Sequence, residues 1–172
     1  MIRYILLTIL QFIFLIILQT LILNNIQFSG YINPYLYILF ILWLPLKTPK
    51  FLLLFLAFCL GLVVDIFSNT IGMHTAATVF LAFSRPYILQ ILEPREGYEV
   101  NQSPNIQNFG LKWFTAYAAM LTFLHHIFLF YIEVFRFTDF FSTFIRVIFS
   151  WIFTMILIII AQHFKYNAEE VI

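Results

Sequence analysis

Residues 4–46, YILLTILQFIFLIILQTLILNNIQFSGYINPYLYILFILWLPL, contain no charged side chain, and between Lys50 and Arg85 Asp65 stands alone. Uncharged apolar runs near or above about 18 residues read as membrane spans. The composition agrees. Of 172 residues 63% are hydrophobic and 10% charged, against roughly half and a quarter in soluble domains. A chain this short has too much surface for its volume to hide that many apolar side chains from water. Outer-membrane barrels show dyad alternation instead of continuous runs, so the expectation is an all-α, polytopic membrane protein.

Working outward, six spans are expected, at residues 2–23, 28–46, 51–67, 73–92, 111–132 and 140–164, in one integral membrane domain over 1–172. A polar loop, 93–110, separates the fourth from the fifth. The first run is longer than a signal-peptide core and lacks a small-residue cleavage site, so it reads as uncleaved. The second is the least regular. Between Asn33-Pro34 and Pro45 it offers about a dozen residues, which as a helix reach only about 18 Å. Lys and Arg favour the cytoplasmic side of short loops. With a cytoplasmic N-terminus, Arg3, Lys47, Lys50, Arg85, Arg95, Lys112 and Lys165 fall inside, and Arg136 and Arg146 outside. Both termini are therefore expected in the cytoplasm, and the location is a cytoplasmic (inner) membrane.

Several functions are excluded by what the chain lacks. A net charge of +1 without a basic run gives no track for nucleic acid. A single cysteine, Cys59, supports neither a disulfide framework nor a thiolate cluster. The sequence has no G-x-S-x-G, H-E-x-x-H or Walker A pattern. No enzyme activity, cofactor or metal is expected.

The remaining signal lies in polar groups within apolar runs. Ala57, Gly61 and Asp65, four apart, share one helix face and form a seam on which another helix can pack closely. Asp65 reads as a carboxylate solvated at the interface, as the partner of a basic residue, or as a carrier of a transported ion or proton. Gly72 and His74 follow it in the same turn, and Asp65 with one histidine is too few ligands to hold a metal. His125, His126, Glu133 and Arg146 suggest an intramembrane polar pocket, with Arg146 paired to Glu133, Asp139 or Asp65. Arg85-Pro86 reads as an interface anchor beside a helix kink.

The stretch 60–75, LGLVVDIFSNTIGMHT, places Asp65 four residues after Gly61 and follows it with a turn and a Gly72-Met73-His74 step. With Phe83-Ser84-Arg85-Pro86, Asn33-Pro34-Tyr35 and Leu44-Pro45, it resembles the MreD family of rod shape-determining membrane proteins, in its Bacteroidetes-like form. The resemblance extends over the whole chain in size and hydropathy, and its specific part is 57–86. It implies a non-enzymatic subunit of the cell-elongation (rod) complex. Such proteins work with an MreC-like protein, an MreB-like actin filament, a RodA-like glycosyltransferase and a class B penicillin-binding transpeptidase in lateral peptidoglycan synthesis. It also implies a six-helix bundle similar to the S-components of energy-coupling-factor transporters. Gly61, Asp65, Gly72, His74, Arg85 and Pro86 would then be structural motif residues, and membrane lipid the surrounding partner. The alternatives are an S-component-like subunit that binds a small vitamin-like ligand and a proton-coupled transporter. The absence of Ala and Gly from 2–23 counts against the first.

Overall fold

The computed structural model describes residues 2–26, 32–99, 102–135 and 140–170, the side chains of 3, 4 and 166–170 excepted. The helices are α1 (Ile2–Ile17), α2 (Leu39–Trp43), α3 (Lys50–Ser68), α4 (Met73–Ile91), α5 (Ile106–Val134) and α6 (Phe140–Glu170). No strand occurs among the described residues. Four helical stretches are long and apolar enough to cross a membrane: Ile5–Asn25, Lys50–Ser68, Ile106–Val134 and Phe140–Lys165. The chain is an all-helical, multi-pass membrane protein.

α3, α4, α5 and α6 pack in sequence, each against the next. Large apolar side chains such as Leu10, Phe14, Phe51, Phe55, Phe141 and Phe149 stay exposed, as lipid-facing residues do. Lipid tails are as apolar as leucine, so burying leucine against leucine gives little net drive. Close packing and internal hydrogen bonds must hold such a bundle. This chain supplies both.

Close packing is tightest between α3 and α4. A Cβ built on Gly61 would sit 2.4 Å from Thr75 Cα and 2.8 Å from the His74 carbonyl oxygen. The Ala57–Gly61 seam is thus filled by the chain's own α4. The link between the two helices needs two left-handed residues, Asn69 (φ 57°) and Gly72 (φ 73°). Asparagine and glycine are the residue types that adopt this conformation at least cost. α5 begins with a turn capped by Asn105, whose side chain accepts from the Asn108 N–H at 2.8 Å. The backbone breaks at Gly110 (φ 79°) before the long helix proceeds, matching the span expected from 111. α4 continues as helix through Pro86 to Ile91.

The second run, expected over 28–46 as the least regular span, is mostly not α-helix among its described residues, 32–46. Residues 33–35 carry no regular structure, Leu36–Ile38 form a 3-10 turn, and α2 adds five residues. Every residue from Tyr35 to Leu42 is buried. Pro34 and Pro45 bracket the segment and prevent a longer helix. Irregular backbone is tolerated at membrane depth only when protein surrounds it and satisfies its polar groups, and here that accounting closes. The N–H of Asn33 donates to Ser150 Oγ (3.1 Å) and that of Tyr35 to Thr154 Oγ1 (3.1 Å). Those of Leu36 and Tyr37 donate to Gln19 Oε1 at 2.8 and 3.3 Å. At the far end, Trp43 Nε1 donates to Gln162 Oε1 at 2.7 Å. From Ser150 to Gln162 is about 18 Å along α6, the distance this central segment travels.

Candidate functional site

Gln19 lies in a π-helical turn, Leu18–Ile22, that extends α1. Such turns interrupt regular helices and recur at functional positions. Its amide is fully buried and makes all four hydrogen bonds open to it. Oε1 accepts the two N–H groups named above, while Nε2 donates to Asn24 Oδ1 and to the Pro34 carbonyl, both at 2.9 Å. Gln19 therefore fastens the start of the central segment.

Arg85 fastens its end. Although charged, Arg85 is 1% exposed. Its Nε donates to the Tyr117 hydroxyl (2.7 Å), one terminal nitrogen to the Pro45 carbonyl (3.2 Å), and the other to the Leu44 carbonyl. The Tyr117 hydroxyl donates onward to the Leu42 carbonyl at 3.1 Å. The carbonyls released where α2 stops are the orphan acceptors of a helix C-terminus, and a cation is the favourable partner there. The expected interface anchor is thus replaced by an internal clamp on the Leu42 and Leu44 carbonyls, which lipid cannot supply with donors, and on that of Pro45, which also accepts from the Thr48 N–H (3.1 Å) and hydroxyl (2.6 Å).

Asp65 has a comparable internal role. Its Oδ1 accepts from the Thr70 hydroxyl and from the His74 N–H (3.0 Å). Its Oδ2 accepts from the N–H and hydroxyl of Thr75 at 2.8 and 2.6 Å. A carboxylate at the start of α4 satisfies orphan N–H groups and complements the helix dipole. Of the expected roles, the geometry shows neither solvation at the interface nor pairing with a basic side chain. Asp65 is 3% exposed and meets no basic side chain among the described residues.

Behind this cap lies a buried aromatic and imidazole cluster. The Tyr37 hydroxyl sits 3.1 Å from His74 Nδ1 and 2.8 Å from His125 Nε2, within hydrogen-bond reach of both rings. His126 Nδ1 donates to the Thr122 carbonyl (2.8 Å), which leaves Nε2 to accept from the Thr154 hydroxyl (3.1 Å). Tyr35 packs edge-on against all three imidazoles, at centroid distances of 5.3, 6.1 and 5.5 Å. No group of three His, Cys, Asp or Glu side chains among the described residues is placed to hold a metal ion.

Above Tyr35 and His74 the bundle opens into a polar cavity of about 400 Å³ at the end where α3 turns into α4. Glu133 and Arg146 form one wall, joined by a 3.0 Å ion pair. Of the three carboxylates considered for Arg146, Glu133 is the one met, while Asp139 lies outside the described residues. His74, Glu133 and Arg146 line this cavity together, whereas His125 and His126 sit behind its floor. Arg85 and Pro86 are eleven and twelve residues further along α4 from His74, roughly 16 Å away, and belong to the opposite, lysine-bearing end.

Sequence reasoning missed Gln19, Tyr37, Tyr117, and the α6 residues Ser150, Thr154 and Gln162. The last three, with Ile158, recur every four residues on one buried face. That polar periodicity in an otherwise apolar helix was a legible signal. Gln19 and Tyr37 gave none, because a lone amide or phenol in an apolar run does not reveal its partner. Comparison with family models, curated proteins and solved structures returned no match to the chain.

Proposed function

We propose that the chain is a non-catalytic membrane subunit of the bacterial cell-elongation machinery, of the MreD kind. In this reading it links an MreC-like protein and an MreB-like filament to a RodA-like glycosyltransferase and a class B transpeptidase. The whole of 1–172 forms one S-component-like domain in the inner membrane, with both termini cytoplasmic. It crosses six times, residues 33–46 serving as a short, buried second crossing. The observation that carries the reading is the use made of the residues resembling the family motif. Gly61, Asp65, Gly72 and His74 lie in one α3–α4 hairpin, where the four hydrogen bonds to the Asp65 carboxylate all hold backbone and hydroxyl groups in place. Residues used in this way shape a surface. Depletion of the protein in its own bacterium is the test: rounding of the cells and loss of lateral wall labelling by a fluorescent D-amino acid are expected, and unchanged rods would contradict the reading.

An S-component-like, ligand-binding subunit is the second reading, favoured by the polar cavity beside Glu133 and Arg146. Recovery of an energy-coupling membrane subunit with its ATPases would put it first.

A further inference from the structure

The cavity is built from the end of α1, the start of the central segment, the α3–α4 turn and the facing ends of α5 and α6. Its volume, about 400 Å³, lies in the range of small-molecule sites. Its lining is unusual for a membrane bundle, since three asparagines, Asn24, Asn25 and Asn33, face the same space as the Glu133–Arg146 pair. Asn24 is fixed from behind, donating to Ser68 Oγ at 3.0 Å and accepting from Gln19 at 2.9 Å. The guanidinium of Arg146 lies over the Phe130 ring, 4.5 Å from its centroid, which restricts its position. With the Asn33 amide turned to face it, Arg146 also donates to Asn33 Oδ1 at 2.9 Å.

The pair is incompletely used. Arg146 carries five N–H donors; one terminal nitrogen serves both Glu133 and Asn33, and its Nε, which is buried, has no hydrogen-bond partner among the described residues. The Glu133 ion pair occupies one carboxylate oxygen, and the Glu133 side chain keeps 35% of its exposure. A wall that presents a fixed cation and a fixed anion 3.0 Å apart discriminates by charge pattern. A simple anion gains from Arg146 and loses to Glu133, and a simple cation meets the reverse. An apolar ligand would strip water from amides and charges and return no hydrogen bonds. A molecule with both charges a few ångströms apart satisfies both members of the pair, while the amides bind its remaining polar groups.

We propose that this cavity is a binding site for a small zwitterion of the free α-amino acid class, its carboxylate on Arg146 and its ammonium on Glu133. The site rests on the cavity alone and stands whichever partners the bundle serves.

The test uses the purified full-length chain in lipid nanodiscs and isothermal titration with glycine, L-alanine and L-glutamine as probes. Acetate, ethylammonium and sorbitol at equal concentration serve as single-charge and uncharged controls. Saturable binding of at least one amino acid with no saturable binding of the controls is expected. Glu133→Gln and Arg146→Gln should each weaken that binding about tenfold or more, the worth of one charged contact. Failure of all three amino acids to bind up to about 10 mM, equal binding of a control, or unchanged affinity in both variants would overturn the proposal. The wild-type comparison decides the matter by itself if a variant fails to fold.

Discussion

The Tyr37 hydroxyl lies 2.8 Å from His125 Nε2, and through it the central segment is joined to both α5 and, by His74 Nδ1 at 3.1 Å, α4. The phenol reaches both rings with one group that can both donate and accept. Tyr37→Phe keeps the ring and removes the oxygen. It is expected to lower stability by about 1–3 kcal/mol, the cost of leaving buried polar atoms unpaired. The lower part of that range applies if the bilayer-embedded unfolded state finds other partners. Thermal unfolding of the purified protein in one detergent checks this, and an unchanged transition would show the hub to be incidental.

Arg85 and Arg146 provide an internal comparison. Arg85 is enclosed with its donors on Leu44, Pro45 and Tyr117, whereas Arg146 sits at a partly open cavity wall. Arg85→Gln should destabilise severely, by about 3–5 kcal/mol, the range for breaking a buried charged contact. Arg146→Gln should cost about 1 kcal/mol or less. Arg85→Lys should resemble Arg85→Gln, since an ammonium cannot span three acceptors in one plane. Equal melting temperatures for the Arg85 and Arg146 variants would contradict the clamp.

Two glycines separate a contact effect from a backbone effect. At Gly61 even a methyl group would collide with Thr75 backbone, while at Gly72 nothing lies near and only the left-handed φ of 73° resists. Gly61→Ala should force α3 and α4 apart and abolish stable expression. Gly72→Ala should cost only about 1 kcal/mol. Fluorescence-detected size exclusion of the two variants gives the order directly.

Asp65→Asn replaces one acceptor oxygen with an NH₂ group that faces either the two Thr75 donors or those of Thr70 and His74. The expected result is a loss of about 1–3 kcal/mol that Asp65→Glu does not repair, because the longer arm moves the carboxylate off these four donors. A variant with wild-type stability would instead leave an ion-handling role in play.

The polar loop supplies a pH prediction. The Tyr98 hydroxyl donates to the Leu89 carbonyl at 2.9 Å, and its ring packs 6.1 Å from Trp113. Partial burial, with help from the Glu93 charge, raises its pKa from 10.0 to about 12. A phenol whose folded pKa is raised contributes stability that is complete below the unfolded value and is lost as pH climbs through the folded one. The loop anchor should therefore hold at pH 9 and weaken across roughly pH 10 to 12. Quenching of tryptophan fluorescence by tyrosinate reads it, and Tyr98→Phe should remove that step.

The fold class was legible because charge-free runs in a chain this short allow only a membrane solution; four of the six expected spans fall on helices long and apolar enough to cross one, and 73–92 falls on the less apolar α4. The second was misread as a helix because hydropathy records where a segment is buried, and residues 35–42 are buried in protein instead of facing lipid. Asp65, Gly61 and Gly72 stood out as the wrong residue types for lipid, and all three proved to belong to one hairpin. What stayed hidden was partnership. Arg85 at the end of an apolar run suggests the nearest headgroup, and only the three-dimensional path of residues 42–45 reveals the carbonyls that hold it. Ser150, Thr154 and Gln162 could have been read by their spacing as a polar face, but not matched to Asn33, Tyr35 and Trp43.

The central functional claim is tested most directly by affinity purification of the tagged chain from its native membrane, with mass spectrometry of what accompanies it. An MreC-like protein together with a RodA-like glycosyltransferase and a class B transpeptidase is the expected recovery, retained in Glu133→Gln. Recovery of an energy-coupling transmembrane subunit and its ATPases, with no wall synthase, would contradict it.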